Sequence, residues 1–141
     1  MTTILNAADR ATFAAIADRL IPAAEGMPSA SQMGIQEAPL DHVLELRPEL
    51  GADLRRGLRA CDGVDPTSAV ERLNQTDPAA LGAIGLVASS AYYMQPRVRE
   101  LLGYPGQVSR PAEPAEEHDY LRDGLLQVVI DRGPIYRPTP K

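Results

Sequence analysis

The first neighbouring side chains in the sequence that could perform acid–base chemistry together are Asp41 and His42. A carboxylate beside an imidazole could serve a small helical enzyme as a general acid–base pair. Sequence neighbours on a helix point about 100° apart, however, so these two side chains are not expected to face each other. We interpret His42 as a surface or hydrogen-bonded histidine, and Asp18 and Arg19 as ordinary solvated helix charges.

The second histidine, His118, lies among three carboxylates, Glu116, Glu117 and Asp119. Such a cluster could bind a metal ion loosely, but it lacks a second histidine four residues away on the same helix face. Acidic side chains are also favoured in the first turn of a helix, where the backbone carries partial positive charge. We prefer this second interpretation and predict no metal ligand in the chain.

Nucleophile and cofactor motifs are missing from the sequence as well. Cys61 is the single cysteine, so it can neither close an internal disulfide nor build a cysteine-rich zinc site. Its spacing places it on the apolar face of a helix. The sequence contains neither a Gly-x-Gly-x-x-Gly turn nor a phosphate-binding loop. We therefore predict no catalytic residue and no cofactor bound by this chain.

Tyrosine and arginine are the unusual residues of the last third of the chain. Five of the six aromatic residues are tyrosines in this part, and several stand near arginines in stretches rich in Pro and Gly. Both residue types are favoured at protein interfaces, although tyrosines could equally complete a small core. Both interpretations stay open, and different tyrosines could satisfy each. The predicted interface residues are Tyr92, Tyr93, Arg97, Tyr104, Pro105, Arg110, Tyr136 and Arg137.

Helices must position these side chains, and capping residues mark where the helices start. Asn6 can accept hydrogen bonds from the first free N–H groups of a helix that ends before a proline at position 22. Asp65-Pro66 and Asp77-Pro78 each place a capping carboxylate before a proline at the first helical position. The predicted helices run over about 7–21, 35–47, 48–62, from 66 onward, 78–94, 96–102 and 116–130.

The C-terminal third is less regular than the rest. Glycines and prolines make 103–115 an irregular segment, and three prolines make 133–141 extended. A strand competes with the last helix because Val128, Val129 and Ile130 are β-branched. The whole chain, 1–141, is predicted to form one all-α domain. It would be a bundle of about six helices, with the two irregular segments wrapped around a partner.

Length and charge limit the classes of function. The 141 residues fit one domain, and the net charge is 14 − 19 = −5. An acidic chain with few aromatic residues is not expected to bind nucleic acid. The uncharged stretch 78–96 is rich in Ala, Gly and Ser, which predicts a buried helix and no membrane insertion. No export signal is visible, which predicts a cytoplasmic protein; removal of a twin-Arg signal would mean the periplasm.

Several segments of the sequence resemble one family. They are ADRLIPA (17–23), MGI (33–35), PLD (39–41), YYMQPRV (92–98) followed by LGYPG (102–106), and RGPIYRP (132–138). In this order they are similar to the gluconate 2-dehydrogenase subunit 3 family. Its members are small, non-catalytic subunits of flavin-dependent sugar dehydrogenases.

The resemblance implies an all-α accessory subunit with a large catalytic partner of the glucose–methanol–choline type. That partner would carry FAD and the catalytic histidine, and some such complexes add a cytochrome subunit as electron acceptor. The predicted function is to bind and stabilise the catalytic subunit of a sugar, glycoside or alcohol dehydrogenase. Two alternatives stay open. One is a stand-alone ligand-binding or regulatory protein with a pocket beside helix 78–94; the other is a small enzyme that uses Asp41, His42 or the 116–119 cluster.

Overall fold

The computed structural model describes residues 5–109 and 123–135, and these are almost entirely helices and their connections. The α-helices are α1 (Ala7–Leu20), α2 (Ala38–Leu46), α3 (Gly51–Ala60), α4 (Pro66–Thr76), α5 (Pro78–Tyr93), α6 (Pro96–Leu101) and α7 (Gln127–Arg132); 3-10 helices span Ser31–Met33 and Pro48–Leu50. Within the two described ranges, the only β-type pairing is an isolated bridge between Ala24 and Met27. The chain divides into two units, the first ending at Gly106 and the second beginning at Gln107. The predicted all-α class is confirmed.

Side-chain caps start three helices of the first unit, as the sequence predicts. Asn6 accepts a hydrogen bond from the Asp9 N–H at 2.9 Å, and the Asp9 carboxylate accepts one from the Asn6 N–H at 3.1 Å. Asp65 and Asp77 each accept from a backbone N–H three residues further on, at 3.0 and 3.1 Å. These bonds satisfy backbone donors that have no partner within the helix, and so they fix where α1, α4 and α5 begin.

The core of the first unit is built around α5, which packs against α1, α2, α3, α4 and α6. The buried side of α5 consists of Ala80, Ala83, Ile84, Val87, Ala88, Ala91 and Tyr92. The alanines let α3 come close: a Cβ added to Gly57 would lie 3.0 Å from Ile84 Cδ1 and 3.1 Å from Ala80 Cβ. The predicted buried, uncharged helix is therefore confirmed. None of the helices in the described part of the chain has the length and apolar content needed to cross a bilayer.

Two arginines connect helices at the surface of the first unit. Arg10 in α1 donates from Nη2 to both carboxylate oxygens of Asp41, at 2.7 and 2.9 Å, and from Nη1 to the Gln36 carbonyl at 2.7 Å. Arg56 in α3 donates to the two oxygens of Asp77, at 2.6 and 3.1 Å. Each guanidinium fork holds the first turn of another helix, so these pairs set helix positions even though exposed ion pairs add little stability.

Asp18 fixes the loop between α1 and α2, in contrast to the solvated charge that the sequence predicts. Its carboxylate accepts hydrogen bonds from the Ser31 N–H at 2.7 Å and from the Ser31 hydroxyl at 2.6 Å. Burial raises the pKa of the Asp18 carboxyl, but the hydrogen bonds from Ser31 outweigh burial and hold the pKa below its ordinary value. The prediction for Asp18 is wrong because only the folded loop brings Ser31 to it.

The described part of the second unit contains one helix, α7, after a turn at 123–126. The predicted helix over 116–130 is confirmed at 127–130 and wrong at 123–126, which form a turn, while 116–122 lie outside the described residues. The competing strand at 128–130 is wrong. Residues 104–109 and 133–135 are irregular, as predicted, and the remainder of these two segments lies outside the described residues. No residue of α7 is buried.

Candidate functional site

Two neighbouring tyrosines at the end of α5 have different environments. Tyr92 is 2% exposed, and its hydroxyl donates to the Pro28 carbonyl at 2.6 Å. Burial, together with the nearby Tyr93, raises the pKa of the Tyr92 hydroxyl. Tyr93 is 56% exposed and lies edge-on against Tyr92, with 5.4 Å between the ring centroids. Tyr92 therefore belongs to the core, and its assignment to a partner interface is wrong; Tyr93 is available at the surface.

Exposed apolar side chains follow Tyr93 along the chain, in a region that we call the α5–α6 corner (residues 93–105). Its large exposed apolar residues are Tyr93, Met94, Leu101, Leu102 and Tyr104. Aromatic and long aliphatic side chains with one side in water are typical of protein interaction surfaces when they occur together. The corner is therefore the candidate functional site of the first unit.

The backbone of the corner is held rigidly. Val98, the buried residue of α6, anchors that helix to the core. The Gln95 side chain donates to the Ala91 carbonyl at 2.9 Å, across the break between α5 and α6. Gly103 ends α6 in the left-handed conformation, with φ of 64°, and the Tyr104 N–H then bonds to the Arg99 carbonyl at 2.9 Å. A rigid frame lowers the entropy cost of presenting exposed side chains to a partner.

Three shallow grooves each include residues of the corner in their lining. The first has a volume of about 360 Å³ and is lined by Pro96, Arg99, Glu100, Gly103, Tyr104 and Pro105. The predicted interface residues Tyr104 and Pro105 therefore lie together in one groove. Glu100 is also 3.4 Å from the exposed Arg97, so the rim of this groove carries both charges.

The second groove lies between α6 and the α1–α2 loop and has a volume of about 510 Å³. Met27, Met33 and Leu101 supply its apolar lining, and Arg97 stands at its edge. Its loop wall is fixed by the Tyr92 bond to Pro28 described above. Methionine side chains adapt to irregular surfaces, which suits a groove that receives part of another protein.

The third groove, of about 280 Å³, lies between the start of α2 and the end of α5. It is lined by Ala38, Pro39, His42, Ala91, Met94 and Gln95. The imidazole of His42 is half-exposed, and its Nδ1 is 3.8 Å from a Glu45 carboxylate oxygen. Asp41 binds Arg10, so the structure does not pair Asp41 with His42.

Cys61 ends α3 and is buried, as the sequence predicts. Burial raises the pKa of its thiol, although Arg72 lowers it in part. A thiol in this state is a poor nucleophile. Within residues 5–109 and 123–135, no group of three or more His, Cys, Asp or Glu side chains is arranged to hold a metal ion.

Several predicted residues lie outside the described residues. They are Arg110, Tyr136 and Arg137 of the interface set, and His118 with its acidic neighbours Glu116, Glu117 and Asp119. The structure adds Met94, Leu101 and Leu102 to the surface set, which the sequence analysis missed. Their spacing gives no warning, because Leu101 and Leu102 follow Val98 by three and four residues and would share its buried side in a longer helix.

Comparisons of this chain with protein-family models, curated proteins and solved structures give no match. The resemblance to the dehydrogenase small subunit therefore stays a prediction.

Proposed function

We propose that this chain is the small, non-catalytic subunit of an FAD-dependent dehydrogenase, and that its α5–α6 corner contacts the catalytic subunit. One observation carries the proposal. The stretch of sequence most similar to the small-subunit family, 92–98 with 102–106, forms a rigid corner with exposed aromatic and aliphatic side chains. Tyrosine and leucine on a rigid frame bury apolar area at low entropy cost.

FAD and the substrate would be held by the larger partner, whose substrate class would be a sugar, glycoside or alcohol. This chain would act by mass action. A protein that binds only the folded form of the catalytic subunit raises the apparent stability of that subunit. A cytochrome or another acceptor would take electrons from the flavin.

The test is co-expression with the product of the neighbouring reading frame, which the proposal expects to be a large flavoprotein. We expect the wild-type chain to co-purify with it and to raise its soluble yield. Leu102→Lys should weaken the complex at least about tenfold, because it places a charge in an apolar contact. Leu46→Lys is the matched control: Leu46 is also exposed at the C-terminal end of a helix, and it lies outside the α5–α6 corner.

Two results would contradict the proposal. One is a flavoprotein that is fully soluble and active alone, together with a small chain that is stable and monodisperse alone. The other is equal binding by the Leu102→Lys and Leu46→Lys variants.

A second candidate function, a small-ligand module, is favoured by the third groove. The groove lies beside α5, is mostly apolar and has one imidazole at its rim, an arrangement that suits a small apolar compound with one hydrogen-bonding group. A thermal-shift screen against a metabolite panel tests it. A true ligand should raise the melting temperature of the wild type and have no effect on His42→Ala.

A further inference from the structure

The second groove, between α6 and the α1–α2 loop, carries opposite charges on its two walls. Glu25 belongs to the loop wall and Arg97 to the α6 wall. One N–H group of Arg97 lies 3.4 Å from Glu100 of the same helix, which leaves the other guanidinium donors open. Among the ion pairs of the described residues, none involves Glu25. Each wall therefore has a charge that can take a further partner.

Glu25 also has a backbone conformation that glutamate rarely adopts. Its φ is 50°, and Gly26 follows with φ of 84°. The two residues form a tight turn between Ala24 and Met27, which exchange two backbone hydrogen bonds at 3.2 and 2.8 Å. Positive φ at both central positions of a turn favours Asn, Asp or Gly, and other residues cost free energy there. The turn itself does not require glutamate, so the long carboxylate side chain points to a role outside the fold.

The loop wall contributes main-chain groups as well. Ala23 lines the groove and is exposed, and its N–H and C=O take no part in the backbone hydrogen bonds of the described residues. Its neighbour Ala24 directs both of its groups to Met27. Successive residues of a paired extended chain direct these groups to opposite sides, so those of Ala23 point away from Met27. An added extended chain can pair with such groups, as it does at a sheet edge.

The base of the groove is apolar and is held in place before anything binds. Met27, Met33 and Leu101 form this apolar base. The hydrogen bond from the Tyr92 hydroxyl to the Pro28 carbonyl, 2.6 Å long, fixes the loop wall to the core. A preformed site spends little entropy on ordering itself, which favours binding of a flexible segment.

Shape and charge distinguish a protein segment from two other ligands. A small molecule in a typical pocket has about 70–90% of its surface buried, which this shallow groove does not provide. An anionic membrane surface attracts clusters of basic residues, and the carboxylate of Glu25 opposes that attraction. An extended segment crosses the groove lengthwise and meets both walls and the base.

We propose that the second groove binds an extended segment of another protein. The segment carries a basic side chain that faces Glu25, an acidic side chain that faces Arg97, and an apolar side chain over the apolar base. Its main chain pairs with Ala23. That the segment belongs to the catalytic flavoprotein rests on the proposed function, whereas its chemistry follows from the groove.

The test is selection of short random peptides, displayed on their own mRNA, against the immobilised full chain. We expect the selected peptides to share one basic, one acidic and at least one apolar residue. The double variant Glu25→Arg with Arg97→Glu should bind them at least about tenfold more weakly, because both attractions become repulsions. The same peptides with their basic and acidic residues exchanged should bind the double variant within about threefold of the original affinity.

The matched control exchanges another exposed ion pair. Arg47→Glu with Glu49→Arg makes the same two changes of charge in the turn between α2 and α3. It should bind the selected peptides within about threefold of wild type. Recovery by the exchanged peptides also excludes misfolding as the cause of weak binding by the first double variant.

Glu25→Asn separates the side chain from the turn. Asn tolerates positive φ, so the melting temperature of the isolated chain should rise, while the selected peptides should bind about threefold to tenfold more weakly. A fall in melting temperature would show that Glu25 serves the fold, which overturns its role as a ligand-binding group.

Four outcomes of the selection overturn the proposal: no binding peptide, binders that lack either charge, binders that the double variant still accepts, or no recovery by the exchanged peptides. The selection contains no flavoprotein. Its failure therefore removes the peptide ligand of this groove and leaves the proposed function to its own test at Leu102.

Discussion

Helices α6 and α7 have the same length, six residues, and both contain β-branched apolar residues, yet they differ in burial. In the first unit, α6 buries Val98 completely in the core around α5. In the second unit, α7 buries nothing among the described residues. Helices this short are marginal in water on their own, so packing must supply their stability. The core around α5 supplies that packing for α6, whereas no residue of α7 is buried.

The largest effect that tests this difference is expected at Phe13. Phe13→Ala should lower the free energy of unfolding by about 3–5 kcal/mol, because it leaves a cavity in a fully buried site. Val128→Ala, in the second unit, should change it by less than about 0.5 kcal/mol. Urea denaturation of the isolated chain measures both. A large loss at Val128 would break the comparison.

The second-largest effect on stability is expected at Asp18, whose carboxylate fixes the loop between α1 and α2. Asp18→Ala removes a charged acceptor with two hydrogen bonds from Ser31 and should cost about 1.5–3 kcal/mol, whereas Asp18→Asn keeps one acceptor and should cost less.

The folded pKa of Asp18 lies below its unfolded value of about 3.9, so the carboxylate stabilises the fold above that pH. This contribution is lost as the pH falls through the lower folded pKa. The stability gap between wild type and Asp18→Asn should therefore be constant from pH 5 to 7 and shrink below about pH 4; a gap that persists in acid would exclude the ionised carboxylate as its cause.

The two neighbouring tyrosines sharpen the contrast between core and surface within the first unit. Tyr92→Phe leaves the Pro28 carbonyl without its partner and should cost about 1–2 kcal/mol. Tyr93→Phe should change stability by less than about 0.5 kcal/mol, since its ring stays at the surface. Thermal unfolding of the two variants measures both stability changes. Equal losses would contradict the difference in burial between Tyr92 and Tyr93.

The smallest expected effect is a gain at Gly82. A Cβ at Gly82 meets nothing within 4 Å, so Gly82→Ala should raise stability by about 1 kcal/mol through helix propensity. Gly57→Ala gains the same propensity but crowds Ala80 and Ile84, so it should be less stable than Gly82→Ala by about 1 kcal/mol or more. A reversed order would mean that α3 and α5 are not in close contact.

The sequence predicts local features of the fold well. The caps at Asn6, Asp65 and Asp77 act within three residues of themselves, so short-range rules suffice to locate α1, α4 and α5. The burial of Cys61 also follows from helical spacing.

Contacts between distant residues account for what the sequence missed. Asp18 meets Ser31 thirteen residues away, and Tyr92 meets Pro28 sixty-four residues away. One available signal could have separated the tyrosines: Tyr92 follows Ala88 by four residues on the buried side of α5, whereas Tyr93 is turned about 100° from it. The exposure of Leu101 and Leu102 had no such signal, because it depends on α6 ending at the edge of the bundle.

Cys61 gives the first unit a built-in probe of its own fluctuations. It is the single thiol of the chain, it is buried, and its raised pKa keeps it protonated. An alkylating reagent reacts with the exposed thiolate, so labelling in native conditions occurs only when the end of α3 opens. The labelling rate therefore measures how often this part of the core opens. A partner that clamps the first unit would slow that rate without touching Cys61.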